Sequence, residues 1–144
     1  MNFDFQKARD LMIVNQLRPN KIKDPVILDL FKNIKKEDFL SKDLKYISYS
    51  DLDITVDKNR GYLKNLHIAQ LIDKANINKK HKVLHIGGMT GYVSVMLSNI
   101  CKELIVIENK SNLFLVPTKL TTKLFQTQLL QLLQEKKKGF LANF

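Results

Sequence analysis

The 144-residue chain has one cysteine, Cys101, which excludes a disulfide framework and suits a reducing compartment. That cysteine falls at a helix end and reads as small apolar packing. No apolar run is long enough to cross a bilayer, and the first ten residues, MNFDFQKARD, carry no apolar signal core. The expectation is a cytoplasmic protein with no membrane partner. Acids are scarce: 14 Asp and Glu stand against 24 Lys and Arg, for a net charge of +10. Such an excess suits nucleic acid or an anionic surface. The lysines, however, are scattered, and their densest run, residues 136–138, suits the last turn of a helix. With no aromatic-interleaved basic motif, a lysine-rich solvated surface is the better reading than a nucleic-acid partner. His67, on a helical stretch, has no second ligand at metal spacing, so no metal site is expected.

What is present is one organised stretch, residues 81–109, HKVLHIGGMTGYVSVMLSNICKELIVIEN. Residues 82–86 are short, apolar and β-branched, and read as a buried strand. Gly87, Gly88 and Gly91 follow, and glycine allows positive φ and close approach of backbone to a ligand. Residues 92–101 turn helical, with Val93, Met96, Leu97 and Ile100 on one face. Residues 104–107 form a second apolar strand that ends on Glu108. A strand, glycine turn, helix and strand closing on an acid is a nucleoside-binding layout. Helix N-terminal amides face the ligand and the carboxylate accepts from ribose hydroxyls.

The rest reads as helices arranged before that unit. Asp4 caps a first helix running to about Leu17, with Phe5, Ala8, Met12 and Leu17 inward. Asp24 and Pro25 open a second helix as cap and first helical residue, with Ile27, Leu28, Phe31 and Ile34 buried. Residues 35–38 form a charged connector. Residues 50–59 read as a loop with a short extended piece at Ile54 and Val56. Asn65 is expected to cap a third helix over residues 66–75, with Leu66, Ala69 and Ile72 inward. At this length the chain forms one domain. It divides into a helical cap region (1–80), a β-loop-α-β cofactor unit (81–109) and a helical tail (110–144).

The order and spacing of several short pieces resemble the protein-L-isoaspartate O-methyltransferases, S-adenosylmethionine-dependent enzymes of the Rossmann-like class. These pieces are Met12-x-x-x-Gln16-Leu17-Arg18, Asp24-Pro25-x-x-Leu28, Phe39, Tyr49 with Asp51, Arg60, Ala69 and the run VLHIGGMTGY at 83–92. The resemblance covers about Phe5 to Glu108. It implies an α/β fold in which an N-terminal helical part precedes a partial Rossmann-like parallel sheet. It also implies methyl transfer from S-adenosylmethionine to the carboxylate of isoaspartyl residues in damaged proteins. Gly87, Gly88, Gly91, Glu108 and His85 are the implied cofactor-binding positions; no residue is assigned as catalytic.

The family's pattern is not matched throughout. Its first strand ends in an acid where this chain has His85, which cannot supply a negative charge. Met89 replaces a middle glycine, and residues 59–65 lack the family's Thr-Ile-Ser. Members with an Arg at the Arg60 position are of doubtful competence, so a truncated remnant with weak or no cofactor binding is the alternative reading. After Glu108 the composition shifts to Leu, Thr, Gln and Lys. Pro117 is expected to open a helix through Leu120, Leu124, Leu129 and Leu133, stopped at Gly139. That segment is expected to hold no strand; it is either a genuine closing helix or, as the favoured reading, an unrelated tail from truncation or a shifted reading frame. The two strands would then expose their edges, a route to self-association.

Overall fold

The computed structural model describes residues 3–108 and the short strand Lys123–Leu124. Helix α1 spans Phe5–Met12, capped by the Asp4 carboxylate accepting from Lys7 N at 2.9 Å. The same helical path continues to Leu17, but as a π-helical segment, Ile13–Leu17. Helix α2, Pro25–Asn33, starts as expected: Asp24 accepts from Val26 N at 2.8 Å and proline takes the first turn. Two 3-10 turns, Lys36–Phe39 and Lys45–Ile47, lead to a hairpin of β1 (Ile54–Asp57) and β2 (Arg60–Tyr62). This hairpin extends the short extended piece expected around Ile54 and Val56. Gly61 is needed in β2, because a Cβ there would lie 2.1 Å from the Ile54 carbonyl oxygen.

Helix α3, Asn65–Ala75, ends on Asn76 in the left-handed region (φ 48°). The expected capping role of Asn65 is not what the structure has. Asn65 is fully buried, accepting from Lys36 Nζ at 2.9 Å and donating to the Ser48 carbonyl at 2.9 Å. A long-range polar demand has overridden the local capping preference.

Strand β3 (Lys82–Ile86), helix α4 (Tyr92–Ile100) and strand β4 (Glu103–Ile107) form a parallel β-α-β unit. Strand β5, Lys123–Leu124, pairs parallel with the other side of β4, giving the sheet order β3-β4-β5. Leu124 therefore lies in a strand and not in the expected helix, and β4 has an outer partner. The remainder of that helix lies outside the described residues. Strand β3 is also less covered than its composition suggests: Leu84 is 49% and Ile86 69% exposed. The main core runs from Met12, Leu17 and Phe31 through Ile68 and Ile72 to Tyr92, Met96 and Val106, and joins the helical part to the sheet.

Two buried polar clusters lie in the helical part. Arg9, 2% exposed, donates through Nε to Tyr49 Oη (2.8 Å) and through Nη2 to Glu37 Oε1 (2.7 Å). Its Nη1 donates to Gln6 Oε1 and the Lys32 carbonyl, and Tyr49 donates to the second oxygen of Glu37. Every arm of the guanidinium is thus used. Burial, reinforced by the bond to Glu37, raises the Tyr49 pKa, so the phenol stays protonated as a donor. Removing one member of such a pair strands the other charge in the interior. Arg9→Met should therefore destabilise the protein by about 3–5 kcal/mol, read by denaturant unfolding. A loss under about 1 kcal/mol would mean that Glu37 finds water.

Lys36 is the second case. Its amine is buried, with Asn65 Oδ1 as acceptor and the rings of Tyr62 and Tyr92 each 5.5 Å away. Burial pushes its pKa down to about 7, against a smaller opposing effect of Asp53. The unfolded chain keeps the lysine proton to about pH 10.4. Between these values the unfolded state binds more protons, so stability rises with pH. Melting temperature should climb from pH 7 to 9, with a single-group slope approaching about 1.4 kcal/mol per pH unit. Lys36→Met should flatten that rise; an unchanged slope would assign it to other groups.

Candidate cofactor site

The site is assembled where β3 and β4 end side by side. Their register sets Ile86 opposite Ile107, so Gly87 begins the loop beside the last residue of β4. Gly87 N and Gly88 N both donate to the Ile107 carbonyl, at 2.7 and 3.3 Å. Gly87 (φ 79°) turns the chain away from the strand, and Gly91 (φ 100°) precedes α4. Glu108, the next residue along, is thereby held under the loop. Its carboxylate is 1% exposed and accepts from Met89 N at 2.7 Å.

The same carboxylate is gripped by Arg60 at the start of β2. Nη1 donates to Oε1 and Nη2 to Oε2, each at 2.8 Å, in the forked geometry that suits a carboxylate. The Glu108 carboxylate raises the Arg60 pKa still further, chiefly through that hydrogen bonding. Tyr62, also on β2, reaches the other end of the loop. Its hydroxyl meets Thr90 Oγ1 at 2.6 Å and accepts from Tyr92 N at 3.3 Å. Gly91 N donates to the Gly88 carbonyl at 2.9 Å. The loop is therefore satisfied from within: strand end, acid and hairpin take the amides a ligand would use.

Beside the loop lies an open cavity of about 210 Å³, lined by Gly87, Gly88, Met89, Tyr62, Leu71 and His85 among others. His85 Nδ1 lies 2.9 Å from Ser94 Oγ. Burial lowers the His85 pKa, against the opposing pull of the Glu108 charge, so the ring is neutral at neutral pH. Met89 takes a left-handed φ of 55° and is 6% exposed, its side chain packed with the core.

The five positions expected from sequence thus come together: Gly87, Gly88 and Gly91 form the loop, Glu108 underlies it and His85 lines the cavity next to it. Arg60 and Tyr62 were not assigned roles in the site from sequence. Arg60 stood out as a position in the family pattern, but nothing local marks it as the partner of an acid 48 residues away. Among the described residues no cluster of His, Cys, Asp or Glu could hold a metal. No described helix is long and apolar enough to cross a membrane.

A helical part leading into a parallel sheet, with a glycine loop over a strand-end acid, is a Rossmann-like architecture. The family model described as protein-L-isoaspartate(D-aspartate) O-methyltransferase matches residues 8–141, and the chain belongs to that family. The match runs past Glu108 through most of the segment expected to be unrelated. The chain is 25% identical over 104 residues to protein-L-isoaspartate O-methyltransferase 1 of Rhodopseudomonas palustris, covering 72% of this chain and 42% of that relative. It is 26% identical over 125 residues to protein-L-isoaspartate O-methyltransferase 2 of Shewanella sediminis, covering 87% and 51%. A solved protein-L-isoaspartate O-methyltransferase superposes with a TM-score of 0.58 at 21% identity, covering 76% of this chain and 35% of that one. A Plasmodium falciparum structure described as a putative member, in complex with S-adenosyl-L-homocysteine, gives 0.58 at 11% identity, covering 78% and 52%. The chain spans about half the length of the curated relatives it matches.

The hydroxyl of Tyr62 ties the hairpin to the loop. Tyr62→Phe leaves Thr90 Oγ1 and Tyr92 N without this partner in the interior. The expected cost is about 1–3 kcal/mol of stability, with faster amide exchange at residues 90–92 as the local readout. Unchanged exchange there would show the loop to be held by the sheet alone.

Proposed function

We propose that the chain carries the cofactor-binding half of an isoaspartyl-protein methyltransferase. The ligand is S-adenosylmethionine, and the acceptors are isoaspartyl carboxylates of damaged proteins. The observation that carries this reading is the buried Glu108 carboxylate under the glycine loop, in a chain of this family. Glu108 would accept from the ribose hydroxyls, with Gly87, Gly88 and Gly91 as the adjacent backbone and His85 toward the amino-acid end. The bound cofactor supplies an electrophilic methyl group. Attack on it by a carboxylate oxygen needs alignment far more than acid or base help, so the protein's contribution is positioning. No described residue is assigned as catalytic. Substrate contacts, and pairing between chains at the β3 edge, belong to the same proposal.

A second reading has its own support: a non-catalytic remnant that binds cofactor weakly or not at all. The Glu108 oxygens are engaged by Arg60, and His85 is a neutral ring where a cationic ammonium calls for an acid. Calorimetry with S-adenosylmethionine, together with a methyl-transfer measurement on an isoaspartyl peptide, separates the two. Glu108→Ala should weaken binding by roughly 10- to 150-fold, the equivalent of a charge-assisted hydrogen bond worth about 1.5–3 kcal/mol. Equal affinities would remove Glu108 from the site. Binding without turnover favours the remnant.

A further inference from the structure

We infer that Arg60 sets the ligand selectivity and affinity of the Glu108 site: it holds the carboxylate in place of a ligand's vicinal diol, and a nucleoside binds only when Arg60 is displaced. The inference rests on the reading of Glu108 as a diol acceptor. Its basis is geometric. Both carboxylate oxygens accept from the one guanidinium, at 2.8 Å each, and Oε2 also accepts from Met89 N. Glu108 is 1% exposed and Arg60 31%, so the arginine is the solvent side of the pair and covers the acid. The guanidinium also lies against the loop: a Cβ on Gly87 would meet Arg60 Nη2 at 3.5 Å. A ribose approaching the carboxylate therefore meets Arg60 first.

Arg60 stands at the turn end of its hairpin, paired across from Asp57. The β1–β2 pairing slips between Thr55 and Asp57, and Lys58 in the turn takes a left-handed φ of 38°. Two residues on, Tyr62 is fixed to Thr90, so opening pivots on the Tyr62 end and swings the turn. The observed affinity for a diol is then its intrinsic affinity multiplied by the open fraction. A ligand without a diol has nothing to gain from the exposed carboxylate.

The test compares wild type, Arg60→Gln and Arg60→Lys. Calorimetry with S-adenosylhomocysteine and adenosine should give tighter binding in Arg60→Gln, on the order of tenfold. The gain should vanish with 2′,3′-dideoxyadenosine. Arg60→Lys, which keeps the charge but loses the fork, should fall between. Added salt should tighten S-adenosylhomocysteine binding to wild type by screening the partly exposed pair, and leave Arg60→Gln unchanged. A ligand-free arm stands apart from the cofactor reading: Arg60→Gln should speed hydrogen exchange of the Met89 amide and residues 54–62. Faster exchange with no binding by any variant would overturn the Glu108 reading and with it the selectivity role. Measurable but equal binding by wild type and Arg60→Gln overturns Arg60 alone. Unchanged exchange shows that the arginine does not hold the acid.

Discussion

The Ile107 carbonyl accepts two amides, from Gly87 and Gly88, and the geometry of the loop region follows from that shared acceptor. It locks the start of the glycine loop to the end of β4. Glu108 then lies beneath Met89 N, where Arg60, which also feels the charge of Asp57, grips both its oxygens. Shifting the β3–β4 register by a single residue would turn the alternate side chains of β3 to the opposite face. It would also separate the loop from its acid. The apolar residues of these two strands thus position the site without contributing a polar atom from their side chains.

The helical part deals with buried charge in two ways. Around Arg9, the cation, the anion and the phenol satisfy one another, and the cost of desolvation is offset within the cluster. Around Lys36 the amine has one neutral amide oxygen and two aromatic faces, and loses much of its basicity instead. Both clusters draw on Tyr49: it accepts from Arg9 Nε and from the Lys36 backbone amide at 3.2 Å. The last turn of α1, the 3-10 turn at Lys36 and, through Lys36, the start of α3 are thereby tied together.

The features legible in the sequence are those set by neighbours along the chain. Asp4 and Asp24 cap helices because a carboxylate two or three residues before a free amide is a local arrangement. The glycine loop and Glu108 were legible because a β-α-β unit has short connections and a known reach. Asn65 misled because its amide is claimed by Lys36, 29 residues earlier. The pairing of Arg60 with Glu108, 48 residues later, left no local trace for a like reason. The covering of β3 was misjudged because an apolar strand reads as buried on both faces. Leu124 fits a leucine-spaced helix equally well, and its pairing with Val106 leaves no trace in the local pattern.

The order in which the chain is made gives the Arg60–Glu108 pair a further meaning. A ribosome releases Arg60 well before Glu108, 48 residues later in sequence. Until the acid appears, the hairpin bearing Arg60 has no carboxylate at this position to close upon. The Arg9 cluster needs nothing beyond Tyr49, so all its members are made before β3 and β4, whereas the Lys36 amine still awaits the Tyr92 ring. The Arg60–Glu108 contact can form only once β4 delivers Glu108. The arginine clasp is thus conditional on synthesis order: it can shut only on a chain whose second parallel strand has been made and docked in register.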